Sequence, residues 1–235
     1  LSAAQISATP TLPPQTETPA GATALLDQAR AAAAEARRSG ALPTPDNSLW
    51  RDAIDLGEAA RDAAPEDRET LRFLAETYST LSWDSRAWEA WETYLSLGGA
   101  ADEAAVSAIA EVGRELGYAR YTAGSLSEAA AVFRRVLELV PDNLEATTWL
   151  GRIALEEGRS AEAERLWRRV LELRPGDPAA RYYLGRSRQQ ERYGAAASDA
   201  FNKGLAAYQT DQKDAALAAF VRACIANPGF DEAAR

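Results

Sequence analysis

The chain has 235 residues, of which 46% are apolar and 26% charged, with a net charge of −9. That make-up belongs to a folded soluble protein, and its acidity argues against nonspecific nucleic-acid binding, which needs clustered Lys and Arg. With no His and one Cys, Cys224, the chain cannot build a Ser-His-Asp or Cys-His device. It also has too few N/S ligands for a zinc or copper site, so no cofactor is expected.

The first 21 residues are rich in Pro, Thr, Ala and Ser, with Pro10, Pro13, Pro14 and Pro19. Such a stretch builds no core and reads as an extended tail or linker. The opening Leu1-Ser-Ala-Ala-Gln suits the residues just past a signal-peptide cleavage site, which gives an expectation of export to the periplasm or cell envelope, with a cytoplasmic place as the alternative. No apolar run approaches the roughly 18 residues a membrane span needs.

Helical pattern starts near Ala22 and runs to Arg38, where Ser39-Gly40 ends it. Pro43 and Pro45 mark a loop, and Asp46, Asn47 or Ser48 can cap the next helix. That helix carries Trp50, Ile54 and Leu56 and stops before Pro65. From there the chain repeats. The clearest unit, residues 144–177, is 34 residues long and holds two amphipathic stretches, with Gly158 at the turn and Pro175 at the exit. Its marker positions are Leu150, Gly151, Ala154, Gly158, Ala163, Trp167, Val170 and Pro175. The unit before it, 110–143, aligns without a gap through Leu116-Gly117, Gly124, Ala129, Phe133, Val136 and Pro141.

Length, small residues and closing proline together resemble the tetratricopeptide repeat. The resemblance implies an all-α, right-handed superhelical solenoid of about five to six antiparallel helix pairs over residues 22–235. Its units fall near 22–65, 68–99, 110–143, 144–177, 178–211 and 197–230. Two irregularities interrupt the period. Eight extra residues, about 102–109, should lengthen the following first helix by about two turns. The last two units overlap, because the stretch 194–209 fits a second helix by Ala197 and Phe201 and a first helix by Gly204 and Tyr208.

The recurring aromatics Trp91, Phe133, Trp167, Phe201 and Phe220 read as core filling between neighbouring pairs. Cys224, beside Ala223 and Ile225, reads as buried packing. The runs Glu156-Glu157 and Arg168-Arg169 read as solvated faces. No carboxylate pair stands out for acid–base work, and no phosphate-binding Gly loop is present.

In the family the first helix of each pair lines the groove where partner peptides bind. Carried over, the resemblance implies groove positions at Glu69, Arg72 and Glu76; Arg114, Tyr118 and Tyr121; Glu145, Thr148 and Arg152; and Tyr182, Arg186 and Gln189. The binding candidates among these are Arg72, Arg114, Tyr118, Tyr121, Arg152, Tyr182, Arg186 and Gln189, since Arg and Tyr combine contact area with hydrogen bonding. One subfamily grips the carboxylate end of chaperone tails with Asn, Lys and Arg; its positions hold Glu76, Trp149, Ala179 and Tyr183 here, so that ligand is not implied. Charge is uneven along the array: residues 44–110 hold 14 acids and 5 bases, whereas 178–235 hold 6 and 8. A gradient of this kind can orient a partner.

These readings point to a non-catalytic scaffold or adaptor that binds a protein segment within a larger, possibly cell-envelope, assembly. The alternative is a structural subunit whose groove is filled by its own tail or a neighbouring copy.

Overall fold

The computed structural model describes residues 19–231 and residue 233. The proline-rich stretch up to residue 18, and with it the reading of a tail and a processed start, lies outside the described residues. Those residues form eleven α-helices and no strand. They are α1 (Ala20–Arg38), α2 (Ser48–Ala63), α3 (Arg68–Thr80), α4 (Asp84–Ser96), α5 (Glu103–Thr122), α6 (Leu126–Leu139), α7 (Leu144–Glu156), α8 (Ser160–Leu173), α9 (Pro178–Tyr193), α10 (Ala195–Gln209) and α11 (Lys213–Ala226). The chain divides into two compact units, residues 1–115 and 116–235. In each, consecutive helices pack as a helical solenoid does: α1 on α2 and α3 on α4 in unit 1, and α7 on α8 and α10 on α11 in unit 2.

Helix starts follow the proline punctuation. After Pro65, Pro141 and Pro175 the chain places an Asp or Asn two residues on, and that side chain caps the next helix. Asp67 accepts from the Thr70 N–H at 2.9 Å, Asn143 from the Ala146 N–H at 2.9 Å, and Asp177 from the Ala180 N–H at 2.9 Å. Each such cap is worth about 1 kcal/mol. Asn47 caps α2 in the same manner, and Asp102 accepts from the Ala105 N–H at the start of α5. With 20 residues, α5 exceeds the 13 of α3 and α7; the inserted residues near 102–109 form its first turns.

Within a pair, one glycine and one aromatic set the helix separation. A Cβ built on Gly117 would lie 2.5 Å from the Phe133 ring, one on Gly151 2.9 Å from Trp167, and one on Gly204 2.5 Å from Phe220. Only a bare Cα lets those rings seat. Phe133 and Trp167 are buried, as are Trp50 and Trp91. Between pairs the same aromatics stack onto the next first helix: Phe133 on Trp149 with centroids 6.1 Å apart, and Trp167 on Tyr183 at 4.7 Å. Val170 and Ala163 complete the α8 face under Tyr183 and Leu184.

Helix α9 breaks the pattern. The turn inside a regular pair has one residue at positive φ: Ser82 (55°), Gly124 (80°), Gly158 (76°) and Asp211 (58°). The corresponding place after α9 is Arg192, which stays helical, so α9 runs to Tyr193 before Gly194 turns the chain at φ 86°. Helix α10 thereby misses its seat against α9. Gly185, spaced from Phe201 as Gly151 is from Trp167, has nothing within 4 Å of a Cβ. Phe201 turns instead to Phe220 (5.5 Å) and Phe230 (4.9 Å). Of its two possible registers, α10 takes the first-helix one, with α11 as its partner. Tyr193 and Phe230, in edge contact at 4.1 Å, fasten this end together.

Two sequence expectations change in this region. Phe201 and Phe220 are only partly buried, because no further layer covers the α10–α11 pair among the described residues. Cys224 is likewise only partly buried rather than packed in a core. Its neighbour Ile225 is 75% exposed, on a stripe shared with Leu217 and Val221.

Candidate functional site

Unit 2 holds a cleft of about 570 Å³. Its walls come from the last turn of α5 (Tyr121), from α7 (Arg152, Leu155, Glu156), from α9 (Tyr183, Arg186, Gln190) and from the start of α10 (Ala195, Ala196, Ser198, Asp199). The 34-residue period relates the α7 and α9 walls through Arg152 and Arg186, whereas on α5 that position is Tyr118 and the cleft is lined by Tyr121, about one turn on. Residues 118, 152 and 186 share one repeat position, so their side chains project from equivalent faces of successive first helices.

The aromatic wall begins at Trp149. Tyr118 and Tyr121 lie 5.3 and 4.9 Å from its ring. Arg152 reaches over it, with the guanidinium carbon 5.1 Å from the Trp149 ring centre and 5.3 Å from that of Tyr183. Its Nη2 also donates to the Tyr183 hydroxyl at 3.0 Å. This aromatic seat holds a cation in place without neutralising it. Neither Arg152 nor Arg186 has a carboxylate partner among the described residues. Tyr121 donates its hydroxyl to Glu156; burial first, and that hydrogen bond second, push its pKa up to about 12. The Gln190 amide donates to the Leu155 carbonyl at 3.3 Å and ties α9 to α7 behind the cleft.

The candidates read from the sequence divide accordingly. Tyr121, Arg152 and Arg186 line the cleft. Tyr118 and Tyr182 do not, and are 48% and 57% exposed beside it. Gln189 also lies off the cleft and accepts from Asn202 at 3.3 Å. Arg72 and Arg114 belong to unit 1 and sit among carboxylates. Arg72 bridges Glu76 (2.9 Å) and Asp102 (2.6 Å), which raises its pKa, chiefly through Asp102, and lowers that of Asp102. Arg114 pairs with Glu111 and Glu115. Glu69 pairs with Arg30 at 2.7 Å.

Sequence reasoning missed Tyr183, Glu156, Gln190 and the start of α10. Tyr183 follows Tyr182 but faces Trp167 and the cleft, a choice made by helix phase. Glu156 was read as part of a solvated run, yet it lines the cleft while Glu157 pairs with Arg159. The α10 wall follows from the displaced turn after α9, and no residue type announces it.

The sequence model of the tetratricopeptide repeat matches residues 121–185. Residues 121–185 carry the tetratricopeptide-repeat sequence. The matched stretch includes the α5 and α7 walls of the cleft and Tyr183 of α9, and ends just short of Arg186. Repeats of this family are a protein-interaction fold, generally without catalysis, and at that level protein or peptide partners follow. Solved structures similar to this chain include YrrB, described as a tetratricopeptide-repeat protein with an unusual peptide-binding site. It is 16% identical, with 91% of this chain and 90% of that one covered and a TM-score of 0.44. MamA is 19% identical over 88% and 91%, with a TM-score of 0.44. PilW, described as a type IV pilus biogenesis factor, is 20% identical over 92% and 97%, with a TM-score of 0.35. Likeness at this level says nothing of ligand or partner. No curated protein matches the sequence significantly. Among the described residues no helix is long and apolar enough to cross a membrane, and no cluster of three or more His, Cys, Asp or Glu could hold a metal.

Proposed function

We propose that the protein is a non-catalytic adaptor whose repeats dock a segment of another protein in the unit 2 cleft. One observation carries this reading. Tyr121, Arg152 and Arg186, from three successive first helices, converge on one cleft of about 570 Å³. A volume of that size suits a few side chains of an extended segment. Tyr and Arg are the residue types that anchor such contacts.

Site-specific photo-crosslinking in the native cell tests the reading. A photoreactive residue replacing Arg186 should give a discrete adduct with a second protein, and one replacing the exposed Arg134 on α6 should not. Equal labelling from both positions, or none from Arg186, removes the docking reading. An adduct within the chain or with a second copy replaces the adaptor by the self-filled structural subunit. Membership of a larger assembly and export to the cell envelope belong to the same proposal, and fractionation of the producing cells tests the compartment.

A further inference from the structure

We propose that the outer face of α11 pairs with the same face of a second copy of this chain, the two helices lying antiparallel about a two-fold axis. This goes beyond docking in the cleft, which no residue of α11 lines.

Three second helices can be compared position by position, because each carries a ring seated on a glycine of its partner helix: Phe133 on Gly117, Trp167 on Gly151 and Phe220 on Gly204. The first and fifth residues after the ring point outward. They are Arg134 and Glu138 on α6, and Arg168 and Glu172 on α8, all four exposed. Charge at such places is what a solvated helix face carries. On α11 the same two places hold Val221 and Ile225, with Leu217 one turn earlier, and all three are exposed. A following helix does not account for them. Helix α9 packs on α8 around Trp167 and Leu171, yet Arg168 and Glu172 stay exposed. A helix following α11 would accordingly cover its Phe220 and Cys224 side and leave Val221 and Ile225 in water, where apolar stripes are normally avoided.

Charge selects the occupant. Asp214 lies on this face and Arg222 at its edge, eight residues and about 12 Å apart along the helix. Neither has an ion-pair partner among the described residues. An antiparallel two-fold through Ala218 sets Asp214 of each copy beside Arg222 of the other, so both charges are matched twice. Leu217, Ala218 and Val221 of the two copies then meet between those pairs. The face is therefore complementary to itself. It suits an anionic membrane surface less well, because Asp214 stands on the apolar side and would be repelled. With 14 residues in α11, the interface is small, and small interfaces make weak, concentration-dependent complexes.

Sedimentation equilibrium of the full chain tests the pairing. A monomer should give way to a dimer with a dissociation constant on the order of 10–100 μM. Val221→Arg combined with Ile225→Glu installs the charges that α8 carries at these places. It should weaken the dimer at least about tenfold and leave helicity and the thermal midpoint of the dilute chain unchanged, since both positions are exposed. Asp214→Arg and Arg222→Asp should each stay monomeric alone, as like charges then face each other, and an equimolar mixture of the two should dimerise again. A chain that stays monomeric throughout overturns the proposal, and so does a dimer that survives the double substitution. A mixture that fails to dimerise overturns the antiparallel pairing. A monomer that binds phosphatidylserine vesicles through Val221 and Ile225 gives the face to a membrane and overturns the second copy as its occupant. Docking in the cleft is decided separately, by the crosslinking above.

Discussion

Position for position, Glu76 on α3 in unit 1 stands where Arg152 and Arg186 stand on α7 and α9 in unit 2. Around Glu76 the face is self-neutralising, because Arg72 one turn earlier bridges Glu76 and Asp102. Around Arg152 the neighbours are Trp149 and Tyr183, which hold a cation without cancelling it. The same backbone position therefore closes a surface in one unit and leaves it available in the other. What differs is not fold but which side chains occupy that position and the one a turn before it.

The largest expected effect breaks the scaffold behind the cationic face. Trp167→Ala removes a fully buried ring stacked on Tyr183 and should cost about 3–5 kcal/mol in urea unfolding. Gly151→Ala, which drives a Cβ against that ring, should cost about 1–3 kcal/mol. Gly185→Ala, at the same repeat position on α9 but with open space around it, should instead stabilise by about 0.5–1 kcal/mol. Opposite signs for two equivalent glycines would confirm that α10 has left α9; equal losses would show that the regular pair forms after all.

Arg186→Glu gives unit 2 the sign found at Glu76. It should weaken partner binding about tenfold, or about 1.4 kcal/mol, with helicity by circular dichroism unchanged. Unaltered binding would make the contrast between units irrelevant to function. Smaller still, Ser82→Gly and Asp211→Gly relieve a side chain held at positive φ. Each should raise stability by up to about 1 kcal/mol, read as a shifted thermal midpoint. Tyr121 gives the least change but a sharp one. Its phenol pKa is raised above the unfolded value of about 10, to about 12, so the neutral form is favoured by the fold. The stability it contributes is complete below pH 10 and lost as pH rises through 12. Tyr121→Phe should flatten that part of the pH–stability curve, and the phenolate absorbance should lose its late-titrating component.

Much of this was legible in the residues. A gap-free pair of 34-residue units is enough to read the helix pairs, their proline exits and the aromatics Phe133 and Trp167 that fill them, because each depends on local spacing. Arg152 and Arg186 were legible for the same reason, since a fixed period on a helix returns to the same face, while on α5 the period points to Tyr118 and the cleft takes Tyr121 instead. Arg72 and Arg114 were legible as recurring first-helix positions; the Arg72 pair with Asp102 was not, because Asp102 lies 30 residues away.

The sequence by itself determined that the repeat units are helical, where their regular helices begin and end, and which face of each first helix recurs. Tertiary structure decided which partner α10 takes. Both registers are written into the residues 195–209, and the choice turns on Arg192 staying helical where other pairs bend, which moves α10 out of reach of Gly185 and onto α11. It decided the cleft for the same reason: the start of α10 lines it with the first helices only because that turn comes late.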